Sequence, residues 1–71
     1  MPEKDDREKL KVLLSHWMEH NGEHAQEFSE WAEKAGKLGQ NAVHDDIMQA
    51  ARQMDRANEF LLAALDRLKE G

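Results

Sequence analysis

The chain has 71 residues, no cysteine, and 15 acidic against 10 basic residues, which gives a formal net charge of -5. A chain of this length forms one domain at most, and its core is small enough to need further support. Because disulfides and thiolate metal ligands are excluded, we expect that support to come from self-association or from a metal held by histidine and carboxylate.

The excess of negative charge argues against two classes of partner. Acidic proteins are repelled by nucleic-acid phosphates and by anionic lipid, so we expect neither nucleic-acid binding nor membrane binding. The first six residues, MPEKDD, are polar, so no signal peptide is predicted. No apolar run approaches the ~20 residues that cross a bilayer. The sequence therefore predicts a cytoplasmic protein.

A repeat of apolar residues beginning at Leu10 predicts a first helix over about residues 4–36, with Asp5 as its N-cap. Its steps alternate between four and three residues without a break. The dipeptide Asn21-Gly22 is also typical of a turn, and a break there would give a three-helix bundle instead. The unchanged phase favours one long helix. The repeat consists of Leu10, Leu14, Trp17, Asn21, His24, Phe28, Trp31, Ala35 and Leu38.

A glycine-containing segment, about residues 37–41, predicts a short loop between antiparallel helices, with Gly36 or Gly39 ending the first helix. The second helix is predicted over about residues 42–69. Folded about this loop, the two repeats place each tryptophan opposite an alanine, the large-against-small pairing of a packed contact. The second repeat consists of Val43, Ile47, Ala50, Met54, Ala57, Leu61, Ala64 and Leu68.

Each helix carries more apolar residues than one helix–helix contact can bury. An exposed apolar flank of this kind is typical of an interface. The simplest closure is a symmetric homodimer of hairpins, which makes an all-α antiparallel four-helix bundle. A different protein that covers the same flank is the alternative. The predicted dimer contact uses Leu13, Met18, Met48, Leu62 and Leu65.

Three of the four histidines, at positions 16, 20 and 24, recur every four residues on the first helix. Because a helix turns by about 100° per residue, they share one side of it with two glutamates. Histidines four residues apart can bind one metal ion, and a carboxylate can add a ligand. The sequence therefore predicts a non-enzymatic module that binds a divalent transition metal, Ni, Co, Zn, Cu or Fe. The predicted ligands are His20, Glu23 and His24, with His16 and Glu27 as auxiliaries.

Other interpretations of this segment stay open. In the main alternative no metal is bound, and Asn21 and His24 set the helix register of a structural interaction module. A ferritin-like oxidase site assembled between chains, or haem held by His24, are further possibilities. Residues 20–24 also match the H-x-x-E-H pattern of inverzincin metalloproteases, but so short a chain lacks the cleft and the distant third ligand. His44 is interpreted as a surface residue in the first turn of the second helix.

The segment LLSHWMEHNGEHAQEF, residues 13–28, followed by Trp31-Ala32, resembles small uncharacterised helical domains of anaerobic bacteria and archaea. The likeness extends over most of the chain, with a histidine-rich first helix and a second helix rich in alanine and leucine. This resemblance implies a link to nickel or cobalt handling. It also implies a metal role for His20, Glu23 and His24.

Overall fold

The computed structural model describes residues 2–70, with side chains from Asp5 onward. These residues form two α-helices, α1 (Pro2–Lys37) and α2 (Asn41–Glu70), which pack against each other as an antiparallel hairpin. Residues 2–70 contain no strand. The predicted all-α hairpin is therefore confirmed. Neither of the two described helices has an apolar stretch that would reach across a bilayer.

The first helix is continuous through Asn21-Gly22, so the three-helix alternative is wrong. It begins at Pro2 and so includes Asp5 within the helix, which makes the predicted N-cap at Asp5 wrong. Proline is favoured in a first helical turn because its missing N–H would have no partner within the helix. At Gly22, nothing lies within 4 Å of where a Cβ atom would stand, so no close contact requires this glycine.

A tight glycine turn ends α1. Gly39 has a φ of +81°, in the left-handed region that favours glycine. Its N–H donates to the carbonyl oxygen of Gly36 at 3.0 Å, and the N–H of Gln40 donates to that of Ala35 at 2.9 Å. These two bonds form a Schellman motif, which satisfies carbonyl groups that the helix end leaves unpaired. Of the two predicted glycines, Gly39 is therefore the one that ends the helix.

The residues that form the contact between the helices are offset from the predicted repeat, because α1 is rotated about its axis relative to the prediction. Trp17 and Trp31, expected opposite alanines in this contact, are 42% and 57% exposed. Ala25 and Ala32 are buried in their place, so the predicted tryptophan–alanine pairing across the contact is wrong. The distance between packed helices depends on the side chains at the contact, and alanine lets the backbones approach closely. The buried residues are Leu14, Ala25, Ala32, Ala35, Ala51 and Leu65.

This rotation also changes which residues of the predicted dimer flank are exposed. Leu65 is buried inside the hairpin, so its assignment to the flank is wrong. Met18 and Met48 are half-buried. Leu13 and Leu62 are the two members that remain exposed, at 43% and 49%. The apolar surface available to a partner is therefore composed of other residues, described below.

Hydrogen bonds between side chains and backbone fix the alignment of the two helices. Asn21 donates from Nδ2 to Oδ1 of Asn58 at 3.1 Å, and Asn58 donates from its own Nδ2 to the carbonyl oxygen of Met18 at 2.9 Å. At the end of the hairpin away from the loop, Arg7 donates to the carbonyl oxygen of Leu68 at 2.7 Å. Both asparagines are half-buried.

The hairpin is a rod of 56 × 14 × 12 Å with a radius of gyration of 16.3 Å. A compact fold of this length would have a radius of gyration of about 11 Å. Within the described part of the chain, no large side chain is completely buried, because two helices alone enclose no interior. Much of the apolar surface of both helices therefore stays in contact with water.

Candidate metal-binding site

Four aromatic rings form a column along α1, each four residues after the one before. The rings of His16 and His20 are nearly parallel, with centroids 6.4 Å apart. Those of His20 and His24 meet edge to face at 4.4 Å, and those of His24 and Phe28 stack at 5.9 Å. Residues four apart on a helix lie one above the other, so the sequence spacing produces this column directly.

Two rings of the column are joined through their nitrogens. The Nε2 atoms of His20 and His24 are 3.0 Å apart. At this distance one ring donates an N–H and the other accepts it with a lone pair. His20 is exposed and His24 is half-buried, so the pair opens to solvent. This part of α1 therefore presents two imidazole nitrogens close together on its surface.

The structure brings together two of the five predicted ligands. His16 contributes a ring to the column but lies 6.4 Å, centroid to centroid, from that of His20. Glu23 and Glu27 are both exposed. Among the side chains that the structure describes, no three of His, Cys, Asp or Glu are grouped so that they could hold a metal ion. Within one chain the candidate centre is thus a two-histidine pair, and the metal role stays a prediction.

His44 is separate from this pair. Its side chain is 40% exposed, and its Nδ1 atom lies 3.0 Å from Oδ1 of Asp45. Its ring lies 3.6 Å from the position that a Cβ on Gly36 would occupy, so it fits against the last turn of α1. Gly36 is about 18 Å along the helix from His24, from a rise of about 1.5 Å per residue. The surface interpretation of His44 is correct only in part, because the ring also packs at the helix junction.

The tryptophans near the histidine pair are exposed, whereas the sequence predicts them inside the hairpin contact. Trp17 and Trp31 lie seven residues before and after His24, which puts all three on one side of α1. Both tryptophans are exposed, and the Nζ atom of Lys34 lies 4.2 Å from the ring centroid of Trp31. The histidine pair thus lies in the middle of an aromatic surface. The apolar repeat in the sequence contains the residues of this surface, and it is the repeat that predicts the hairpin contact.

Over residues 10–68, the sequence matches the family described as Domain of unknown function (DUF8180). The chain belongs to this family. The DUF8180 match runs from Leu10 to Leu68, so it covers most of both helices, the loop and all five predicted ligands. No curated protein and no solved structure matches the chain. The family description of DUF8180 names no ligand or activity, so the function is argued from the geometry of the site.

Proposed function

We propose that this DUF8180 domain is a non-enzymatic module that binds a divalent transition metal through the Nε2 atoms of His20 and His24. The distance of 3.0 Å between these atoms carries the proposal. Two imidazole nitrogens bound to one ion at about 2.0–2.1 Å are about 2.8–3.0 Å apart at a right angle and about 3.3–3.4 Å apart at the tetrahedral angle. The spacing of the pair is therefore close to the one that a shared ion requires.

The donor set limits the metals to consider. Imidazole and carboxylate without sulfur suit Ni, Co, Zn, Cu and Fe, whereas Ca and Mg prefer oxygen ligands. One Nε2 atom of the pair carries the proton of the hydrogen bond, so metal binding replaces a shared proton by a shared ion. Glu23, Glu27 and His16 are exposed neighbours whose side chains can change rotamer, and we propose them as auxiliary ligands.

Calorimetric titration of tag-free protein with Ni, Co and Zn tests the proposal. We expect His20→Ala to weaken binding by more than about tenfold, since losing a ligand costs at least as much as losing an outer-shell partner. His44→Ala is the matched control, because it removes a histidine on α2 that lies outside the pair. Circular dichroism should show equal helicity for all three proteins. Equal metal affinities for the wild type and His20→Ala would refute the proposal.

A second candidate function is a structural interaction module, in which two hairpins pair as a homodimer in a four-helix bundle. The exposed tryptophans favour it, because large exposed aromatic side chains are typical of interfaces. For this role, the sequence predicts that Asn21 and His24 set the helix register. Asn21 bonds across to Asn58, whereas His24 bonds to His20 on its own helix. We therefore propose Asn21 alone as the register residue.

Two leucine substitutions separate these roles. Asn21→Leu should change the helix register or the mass in solution, because a buried polar residue selects one alignment among several. His24→Leu should abolish metal binding and leave the alignment of α1 and α2 unchanged. Sedimentation equilibrium gives the mass, and a spin label on each helix gives the alignment. A change of alignment in His24→Leu alone would contradict the assignment.

A further inference from the structure

One side of the hairpin carries two rows of residues at seven-residue spacing. Each residue of the α1 row that is inside α1 lies four positions before a residue of the α1 repeat that faces α2, such as Phe28 or Ala35. Each residue of the α2 row lies four positions before Met54, Leu61 or Leu68. In an antiparallel pair, equivalent heptad positions of the two helices flank the contact on the same side. We name the two rows the aromatic face: the α1 row is Leu10, Trp17, His24 and Trp31 with Leu38 directly after the end of α1, and the α2 row is Ala50, Ala57 and Ala64.

The aromatic face is poorly covered. Leu10 and Trp17 are 39% and 42% exposed, and Trp31 and Leu38 are 57% and 77% exposed. The whole chain exposes 5635 Å², against about 4,500 Å² for a compact protein of its mass. The excess of about 1,100 Å² is larger than the ~800 Å² that each partner contributes to a standard interface. An interface that buried this excess, which belongs to the whole chain, would therefore be of standard size.

The order of residues in the rows favours a second copy of this chain as the occupant. The α1 row contains leucine, tryptophan, histidine, tryptophan and leucine, and so is the same in either direction about His24. The α2 row is three alanines and is likewise symmetric about Ala57. A two-fold axis that crosses the helices at His24 pairs each residue of such a row with a residue of its own kind, so that leucine meets leucine, tryptophan meets tryptophan and histidine meets histidine.

We propose that a second copy of this chain covers the aromatic face, with the two-fold axis passing by His24 and Ala57. The first helices of the two copies then run antiparallel. Trp17 lies opposite Trp31 of the second copy, and Leu10 lies opposite Leu38 of the second copy. The α2 row on the same side consists of alanines, whose small side chains leave space for the incoming rings.

This arrangement completes the metal site, an extension that rests on the proposed function. One chain supplies only His20 and His24, whereas a structural zinc-type site takes four protein ligands. The two-fold axis brings His24 beside its counterpart, so the two pairs supply four imidazoles. Along α1, His20 lies between Trp17 and His24, and there it is opposite Glu27 of the second copy. The exposed carboxylate of Glu27 thus has a cationic or metal-bound neighbour. The expected stoichiometry is one ion per two chains.

Sedimentation equilibrium of three proteins, with and without Ni, tests the docking. The wild type should be a dimer. Trp31→Glu should raise its dissociation constant by at least about thirtyfold, since a central aromatic anchor contributes 2 kcal/mol or more. Val12→Glu is the matched control, because Val12 is 69% exposed on the opposite side of α1. Trp31 is outside the hairpin contact, so circular dichroism should show the helices retained in both variants.

A cross-linking experiment tests the position of the axis. The chain has no cysteine, so Ala57→Cys and Ala63→Cys each introduce a single thiol. A short bismaleimide should link two copies of Ala57→Cys much faster than two copies of Ala63→Cys, because Ala63 is exposed on the outer side of α2. Equal rates would overturn the proposed axis.

The combined outcomes distinguish the two proposals. A dimer with one ion per two chains supports both. A dimer that Trp31→Glu disrupts but that binds no metal supports the docking and overturns the proposed function. A concentration of about 100 μM is far above the dissociation constant of a stable dimer. A protein that is a monomer at this concentration and binds one ion per chain supports metal binding and overturns the docking. A dimer that Val12→Glu disrupts as strongly as Trp31→Glu also overturns the docking.

Discussion

Replacing Asn58 by alanine should lower the free energy of unfolding of the hairpin by about 2 kcal/mol. The Asn58 side chain accepts a hydrogen bond from Asn21 at 3.1 Å and donates one to the carbonyl oxygen of Met18 at 2.9 Å. Each such bond contributes about 0.5–1.5 kcal/mol net. The Asn21 amide is left without its partner, but its partial exposure lets water replace some of the lost energy.

Thermal unfolding followed by circular dichroism measures this loss. For a chain of this size the expected decrease in Tm is about 10 °C, from about 4–8 °C per kcal/mol. All samples need one protein concentration, because the stability of a dimer depends on it. Glu59→Ala is the control, an exposed position next to Asn58 in the chain. A decrease no larger than that of Glu59→Ala would show that the asparagine bonds do not hold the helices together.

Three other outcomes are expected. Gly22→Ala should raise the free energy of unfolding by about 0.5–1 kcal/mol, because Gly22 is inside α1 and a Cβ atom there meets nothing within 4 Å. Gly39→Ala should lower it by about 1–2 kcal/mol, because Gly39 has a positive φ; the same sign for both variants in urea unfolding would contradict this account. Metal affinity should fall as the solution is acidified, because protons compete with the metal ion for its ligand atoms, and a calorimetric affinity that does not change with pH would exclude histidine ligation.

The two helices and their antiparallel arrangement could be predicted because the apolar repeat is long and is interrupted at a single glycine-containing segment. The continuity of α1 through Gly22 followed from the same repeat. A true turn would have shifted the phase of the apolar residues that follow it. Helix ends were less predictable, since Pro2 rather than Asp5 begins α1 and helix boundaries depend on local capping geometry.

The rotation of α1 about its axis could not be predicted from periodicity. Leu14 and Phe28 belong to both possible seams, and the columns on either side of them are both apolar. One neighbouring column holds Trp17 and Trp31, and the other holds Ala25 and Ala32. Tryptophan has far more surface to bury, which favours the first column, but alanine permits the closer approach that α2 makes. A single sequence does not separate a contact within the hairpin from one with a further chain.

At the candidate site, spacing predicted the histidine pair but not the carboxylates. His20 and His24 are four residues apart on a continuous helix, and their rings contact. Glu23 and Glu27 share that side of the helix, yet no described site includes them with the pair. Long exposed side chains keep most of their rotamer freedom until a ligand orders them. Residue spacing therefore locates their Cα atoms and leaves their oxygen atoms undetermined.

The hairpin is closed at one end by the Gly39 turn and at the other by the hydrogen bond from Arg7 to the Leu68 carbonyl oxygen. Contacts near the turn close small loops and contacts near Arg7 close large ones, so the entropic cost of reforming a contact rises along the rod. The two helices should consequently separate first at the Arg7 end. Amide hydrogen exchange should become progressively slower from Arg7 towards Ala32. The asparagine bonds lie midway, where they would stop partial opening before it reaches the turn.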